Sequence, residues 1–231
     1  GKALEKFSLK TGVDAEKIVA ELKRSSIAVQ SVERKELKKS PLPPFTTSTL
    51  QQEAVKRLHY SAKKTMFLAQ HLYETGLITY MRTDSVNLST ESTAAAKAWL
   101  EANLGAPYAA EAPRRFTSKS KLAQEAHEAI RPTNLEHAPG SAPITDAGER
   151  KLYELIWNRF LASQAPAARI ASTAVEIMAT PKEKSTDSYT LRGSGQQILF
   201  DGNLKLWSQK FEERELPPLE ENEALTLREI I

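Results

Sequence analysis

The sequence predicts an α+β fold in which a mainly helical domain, residues 40–165, is inserted into a discontinuous β-rich domain made of residues 1–39 and 166–231. Three observations predict it. Apolar residues alternate with a period of two near both ends of the chain and follow helical spacing in between. The run Lys38-Lys-Ser-Pro-Leu-Pro-Pro44 places three prolines in four residues, which forces an extended path and marks a boundary. Pro166 closes the helical stretch just before the alternation returns. At 231 residues the chain also exceeds the roughly 100–200 typical of one domain.

Taken in order, Leu4, Phe7 and Leu9 suggest a short strand ending at Thr11-Gly12. Asp14 is a good N-cap, and Val13 with Ile18 is placed as a hydrophobic staple for a helix ending near Ser25-Ser26. Ile27 to Leu37 alternates like a strand. Beyond the proline run, Ser48-Thr-Leu-Gln51 and Thr49-Leu-Gln-Gln52 both match a capping box, so a helix is expected from there to about His59. A second helix covers Ser61 to Glu74 and stops at Gly76. A third follows Ser89 up to Leu104-Gly105, and residues 106–122 form a loop. Asp146 opens a helix through Gln164, whose two adjacent apolar stripes mean that it is well buried. Ser172 to Thr180 and Ser188 to Arg192 pair as strands across a polar turn at 181–187, with a bulge or bend at Gly193-Ser-Gly195. Glu223 to Ile231 is a further strand candidate.

Composition narrows the function classes. With 40% hydrophobic and 26% charged residues the chain is not a disordered polyelectrolyte. The absence of cysteine excludes a disulfide scaffold, a thiolate nucleophile and a cysteine-ligated zinc site. No apolar run approaches the roughly 18 residues of a membrane span, and the charged start does not resemble a signal peptide. Net charge is +3, unevenly spread. Residues 1–64 hold fourteen Lys/Arg against seven Asp/Glu, whereas residues 200–231 hold four against eight. A basic stretch can attract phosphate, although a solvated basic face is the commoner outcome. The start at Gly1 and the stop inside Ala224–Ile231 suggest a piece of a longer protein.

The conspicuous segment is Gly76-Leu-Ile-Thr-Tyr-Met-Arg-Thr-Asp-Ser85. If residues 78–82 are extended, Tyr80 and Arg82 project to one face about 6–7 Å apart, with Met81 opposite. Such a pair suits attack on a phosphodiester. The phenol is a candidate nucleophile that needs activation, and the guanidinium can hold a non-bridging oxygen. A lone Tyr-x-Arg is far more often a packing aromatic beside a surface charge. In Gln124-Glu-Ala-His-Glu-Ala-Ile-Arg-Pro-Thr133, His127 and Arg131 would align on a helical turn, which Pro132 disfavours, and both could contact phosphate. His127 with Glu128 is a poor metal pair because adjacent residues do not share a face. The sequence has no phosphate-cradling glycine loop, no Gly-x-Ser-x-Gly and no Asp-x-Asp.

Together these segments resemble the type IA DNA topoisomerase family. Pro44-Phe-Thr-Thr-Ser-Thr-Leu-Gln51, Gly76 to Ser85 and Glu125-Ala-His-Glu-Ala-Ile-Arg-Pro132 look like three blocks of that family in its order. Gly195 to Gly202, ending Leu-Phe-Asp-Gly, looks like a fourth. Met81 after the tyrosine places the likeness nearest the bacterial topoisomerase I branch, and it spans nearly the whole chain.

The resemblance implies a β-rich arch with an inserted helical domain bearing the tyrosine. It implies that Tyr80 attacks single-stranded DNA to form a 5′-phosphotyrosyl link, and that strand passage relaxes negative supercoils without ATP. Tyr80 matches the nucleophile, Arg82 the arginine beside the scissile phosphate, and His127 a histidine near the DNA backbone. Thr83, Asp84 and Arg131 match supporting residues at the DNA, and Thr46 to Thr49 open a helix that could meet phosphate. The family's acidic Toprim module, which holds Mg²⁺, has no counterpart in this sequence, so no metal is expected here and the chain alone is expected not to relax DNA. The implied partners are single-stranded DNA and the remaining domains of a monomeric, cytoplasmic, nucleoid-associated bacterial enzyme. The alternatives are a non-catalytic clamp, in which Tyr80 stacks a base of single-stranded DNA, and a purely structural arm.

Overall fold

A computed structural model describes residues 11–117, 127–182, 188–209 and 213–230. The strand expected over Leu4–Leu9, residues 124–126 of the histidine segment and most of the turn at 181–187 lie outside the described residues. The architecture is mixed helix and sheet, as the two periodicities imply. The chain divides into two compact units. One comprises Gly1–Leu37, Ile170–Leu199 and Phe211–Ile231, and the other Lys38–Arg169 with Phe200–Lys210.

The first unit holds α1 (Gly12–Lys23) and most of a four-stranded sheet of β1 (Ser25–Lys39), β2 (Ala168–Pro181), β3 (Tyr189–Phe200) and β4 (Ala224–Leu225), in the order β3-β2-β1-β4. The N-cap of α1 is Thr11 and not Asp14. The Thr11 hydroxyl accepts from the Asp14 amide at 3.2 Å, so the acidic residue occupies the first turn, where it complements the helix dipole. Leu22, Ile27 and Ala179 form a small core, against which Ile18, Ile177 and Leu191 pack. Only Ala224–Leu225 of the expected C-terminal strand is regular. It pairs antiparallel to Ile27 and Ala28, and just before it Asn222, at φ 65°, turns the chain onto Val29. The glycine at 195 answers to crowding: a Cβ there would lie 2.4 Å from the Arg214 carbonyl oxygen, which pairs with Gln196.

The second unit is built from α2 (Thr47–Leu58), α3 (Ala62–Glu74), α4 (Thr90–Leu104) and α5 (Ala147–Gln164). Ser61, Ser89 and Asp146 cap α3, α4 and α5 through their side-chain oxygens. Of the four hydroxyl residues from Thr46 to Thr49, Thr46 is the cap of α2. Its hydroxyl accepts from the Thr49 amide, and the Thr49 hydroxyl accepts from the Thr46 amide. Helix α5 is the spine. Leu152, Tyr153, Ile156, Trp157, Phe160 and Leu161 are each at most 2% exposed. Each such side chain contributes about 1.5–3 kcal/mol on burial. The Tyr153 hydroxyl keeps a bond to the His137 carbonyl at 2.7 Å, and burial pushes its phenol well up. The core so formed includes Phe45, Ile78, Met81 and Ile130, one or more from each of the three motif segments.

Candidate active site

The tyrosine segment is clamped from two sides by main-chain and threonine bonds. On one side, Thr47 opens α2 and donates its hydroxyl to the Met81 carbonyl at 2.7 Å. It also accepts the Thr83 amide at 2.9 Å, while its own amide donates to the Thr83 carbonyl at 2.9 Å. On the other side, Thr79 donates its amide to the Arg131 carbonyl at 2.9 Å and its hydroxyl to the Ala129 carbonyl at 2.7 Å, and accepts the Arg131 amide at 3.0 Å. The circle closes where the Ile130 amide donates to the Phe45 carbonyl at 2.8 Å. Segments far apart in sequence thus form one lattice, with the tyrosine block in its middle.

Within that lattice residues 78–82 make a single bridge, Ile78 with Pro132, and are not a regular strand. Ile78 is buried, and from Tyr80 to Asp84 the side chains alternate: Met81 and Thr83 are buried, whereas Tyr80 is 47% exposed and Arg82 and Asp84 face solvent. The buried Met81 is what turns its two neighbours outward. The Tyr80 ring lies edge-on to Tyr73 of α3, centroids 5.2 Å apart at 66°, which restricts its swing without covering it.

Tyr80 and His127 line the same concavity, of about 290 Å³, together with Thr79, Thr83 and Glu128. Thr83 is 7% exposed and its hydroxyl accepts the Ser85 amide, so it shapes the wall, and Asp84 is exposed. Glu128 accepts the Ser89 amide on one oxygen at 2.7 Å and the Arg131 guanidinium on the other at 2.6 Å. Burial alone would raise its carboxyl, but Arg131 and Ser89 together outweigh that and hold it below the ordinary carboxylate value. Arg131 does not line this concavity, and among its lining residues Arg82 does not appear. The segment from His127 to Pro132 is not helical, so His127 and Arg131 do not stack on one turn.

Sequence reasoning passed over Thr79 and Tyr73, and weighed Glu128 only as a poor metal partner for His127. Thr79 carried a signal, since it sits inside the conspicuous block. The Glu128–Ser89 bond and the Tyr73–Tyr80 contact carried none, because the first joins residues 39 apart and the second joins a helix to a segment that is not helical. Chemically, the arrangement offers an exposed phenol with a histidine in the same concavity and an arginine two residues along, in a rigid frame. Among the described residues no three His, Cys, Asp or Glu side chains gather as a metal-binding group, so the residues here do not fit a metal cage. No helix among them is long and apolar enough to cross a membrane.

A profile of the family described as DNA topoisomerase matches residues 1–231. DNA topoisomerase 1 of Rickettsia felis is 41% identical over 245 residues, covering 99% of this chain and 31% of the relative. DNA topoisomerase 1 of Haemophilus influenzae is 42% identical over 229 residues, covering 98% of this chain and 26% of the relative. Full-length topoisomerase I from Thermotoga maritima superposes with a TM-score of 0.76 at 34% identity, over 95% of this chain and 36% of that one. The chain therefore spans between about a quarter and a little over a third of the length of these relatives.

Proposed function

The chain belongs to the type IA DNA topoisomerase family, and from that premise we propose that it carries the covalent centre and strand gate of such an enzyme. The observation that carries the reading is the exposed Tyr80 phenol sharing a concavity with His127, in a frame that fixes Tyr80 from both sides. Tyr80 Oη attacks a backbone phosphorus of single-stranded DNA. The P–Oη bond forms, the P–O3′ bond breaks, and the phenolic proton goes to a base while the leaving 3′ oxygen takes up a proton. The 5′-phosphotyrosyl link conserves the energy of the broken bond, so resealing by the 3′-hydroxyl needs no ATP. Arg82 holds a non-bridging oxygen, and His127 contacts the DNA backbone. Thr83 and Asp84 shape the approach. Mg²⁺ belongs to another part of the enzyme. The helical unit is the moving gate, and the sheet unit is the arch that carries it.

The test joins this chain to the remaining domains of a type IA enzyme and looks for a denaturation-resistant adduct with 5′- or 3′-end-labelled single-stranded DNA. Wild type retains the DNA fragment whose 5′ end is at the break, and Tyr80→Phe retains none while its unfolding midpoint stays in place. Adducts that persist in Tyr80→Phe overturn the assignment. A second reading has one observation behind it: Tyr73 and Tyr80 are both exposed and in edge contact, the beginnings of a base-stacking platform. Salt-sensitive binding without any adduct in wild type would favour that clamp.

A further inference from the structure

From sequence Arg131 is a candidate phosphate contact, yet both of its terminal nitrogens already hold partners within the protein. Nη2 donates to Glu128 at 2.6 Å and Nη1 to the Pro132 carbonyl at 2.9 Å, while Nε is buried without a partner. The side chain is 15% exposed and lines a different cavity, of about 720 Å³, beside Trp99 and Phe160. Its partner Glu128 is the residue that lines the Tyr80 concavity.

A carboxylate at that place is at odds with the chemistry. A phosphodiester brings a negative charge into a small, partly desolvated space, where a like charge is felt far more strongly than in water. The carboxylate has a mechanical task that accounts for its presence. By accepting the Ser89 amide it ties the N-terminus of α4 to the segment that holds His127, and a negative group at a helix N-terminus is electrostatically favourable. What remains is its charge, and the guanidinium cancels it.

We propose that Arg131 is a positioning residue that neutralises Glu128 at the wall of the Tyr80 concavity, and is not itself a ligand of the DNA phosphate. Glu128 sets where His127 stands, and Arg131 lets an anion approach. The inference rests on Tyr80 being the nucleophile, and it makes the two residues interdependent in a way that a direct phosphate contact would not.

The experiment compares wild type, Arg131→Gln, Arg131→Lys, Glu128→Gln and the Glu128→Gln/Arg131→Gln double variant in the assembled enzyme, reading covalent adduct formed on labelled single-stranded DNA. Arg131→Gln is expected to lose tenfold or more. Glu128→Gln is expected to lose about threefold, since its amide oxygen still accepts from Ser89. The double variant returns to within about threefold of Glu128→Gln, and Arg131→Lys, which keeps the charge without the fork, retains most of the activity. A double variant as impaired as Arg131→Gln would overturn the proposal and make Arg131 a phosphate ligand. Carboxyl-carbon NMR of Glu128 in the isolated chain reads the pairing without DNA. Its titration moves upward in Arg131→Gln, and an unmoved titration also overturns the proposal. If wild type forms no adduct, the nucleophile assignment fails, and the NMR arm decides the pairing by itself.

Discussion

Tyr80 owes its exposure to its neighbours and not to its own character. Met81 and Ile78 are sunk in the helical core, and Thr47 and Thr79 hold the carbonyls and amides around them, so the intervening phenol is left at the surface. Glu128 shows the same logic in electrostatic form. Its folded carboxyl titrates below the ordinary value near 4.3, so the unfolded chain binds its proton first as pH falls. The stabilisation it brings is complete above that ordinary value and drains away as pH drops through the depressed one. Urea unfolding should find Glu128→Gln about 1–2 kcal/mol less stable than wild type at pH 7, with the gap narrowing as pH falls below the ordinary carboxylate range. A gap that stays constant from neutral to acid pH would mean that Arg131 and Ser89 do not act on the charge of Glu128.

At the scale of elements, the short turn after β3 shows how glycine serves the helical unit. Gly202 has φ +47°, and a Cβ there would stand 2.6 Å from the Pro166 carbonyl oxygen. That oxygen accepts the Asn203 amide at 2.9 Å, and the Asn203 side chain reaches the Lys39 carbonyl at 2.8 Å. Next to it, Asp201 accepts the Tyr108 hydroxyl at 2.6 Å, and this bond raises the phenol's titration. The Leu-Phe-Asp-Gly block therefore acts as a fastening within the helical unit. Gly202→Ala should cost about 1–3 kcal/mol of unfolding free energy, through both the left-handed backbone and the contact. An unchanged urea midpoint would show that the turn relaxes freely. A comparable fastening surrounds Arg159 of α5, which is 5% exposed. It lies over the Phe45 and Trp207 rings, 4.9 and 4.7 Å from their centroids, and donates to the Pro43 carbonyl at 2.6 Å. Burial lowers its titration to about 10, so it remains a cation at neutral pH and anchors the segment that leads into α2.

On the scale of the whole molecule, the polypeptide passes between its two units at residues 37–38, 169–170, 199–200 and 210–211. The candidate nucleophile, its histidine and the Glu128–Arg131 pair all belong to the helical unit. If this chain carries the nucleophile and the gate while Mg²⁺ is held by another part of the enzyme, as proposed, it should not complete the reaction by itself. Supercoiled plasmid incubated with this chain alone and Mg²⁺ is expected to keep its topoisomer distribution, as read by gel electrophoresis. Robust relaxation would place the whole of the chemistry within these 231 residues.

The sequence alone determined the helices with strong local signals. Ser61, Ser89 and Asp146 cap the helices they appear to cap because capping is settled within four residues. It also singled out Tyr80, Arg82 and His127, since their motifs are continuous stretches of chain. Where four hydroxyl residues run together at the start of α2, local pattern could not choose among them, and the choice fell to Thr46 because Thr47 is engaged by Met81 and Thr83, more than thirty residues away. The end of β4 was likewise beyond local reading, because a strand lasts only as long as its partner and β1 meets it at two residues. Most of all, only the tertiary structure decided that Glu128 stands in the concavity of Tyr80 while Arg131 faces another. A side chain's charge is written in the sequence, but what that charge acts upon depends on distance and burial, and those arise only when the segments meet.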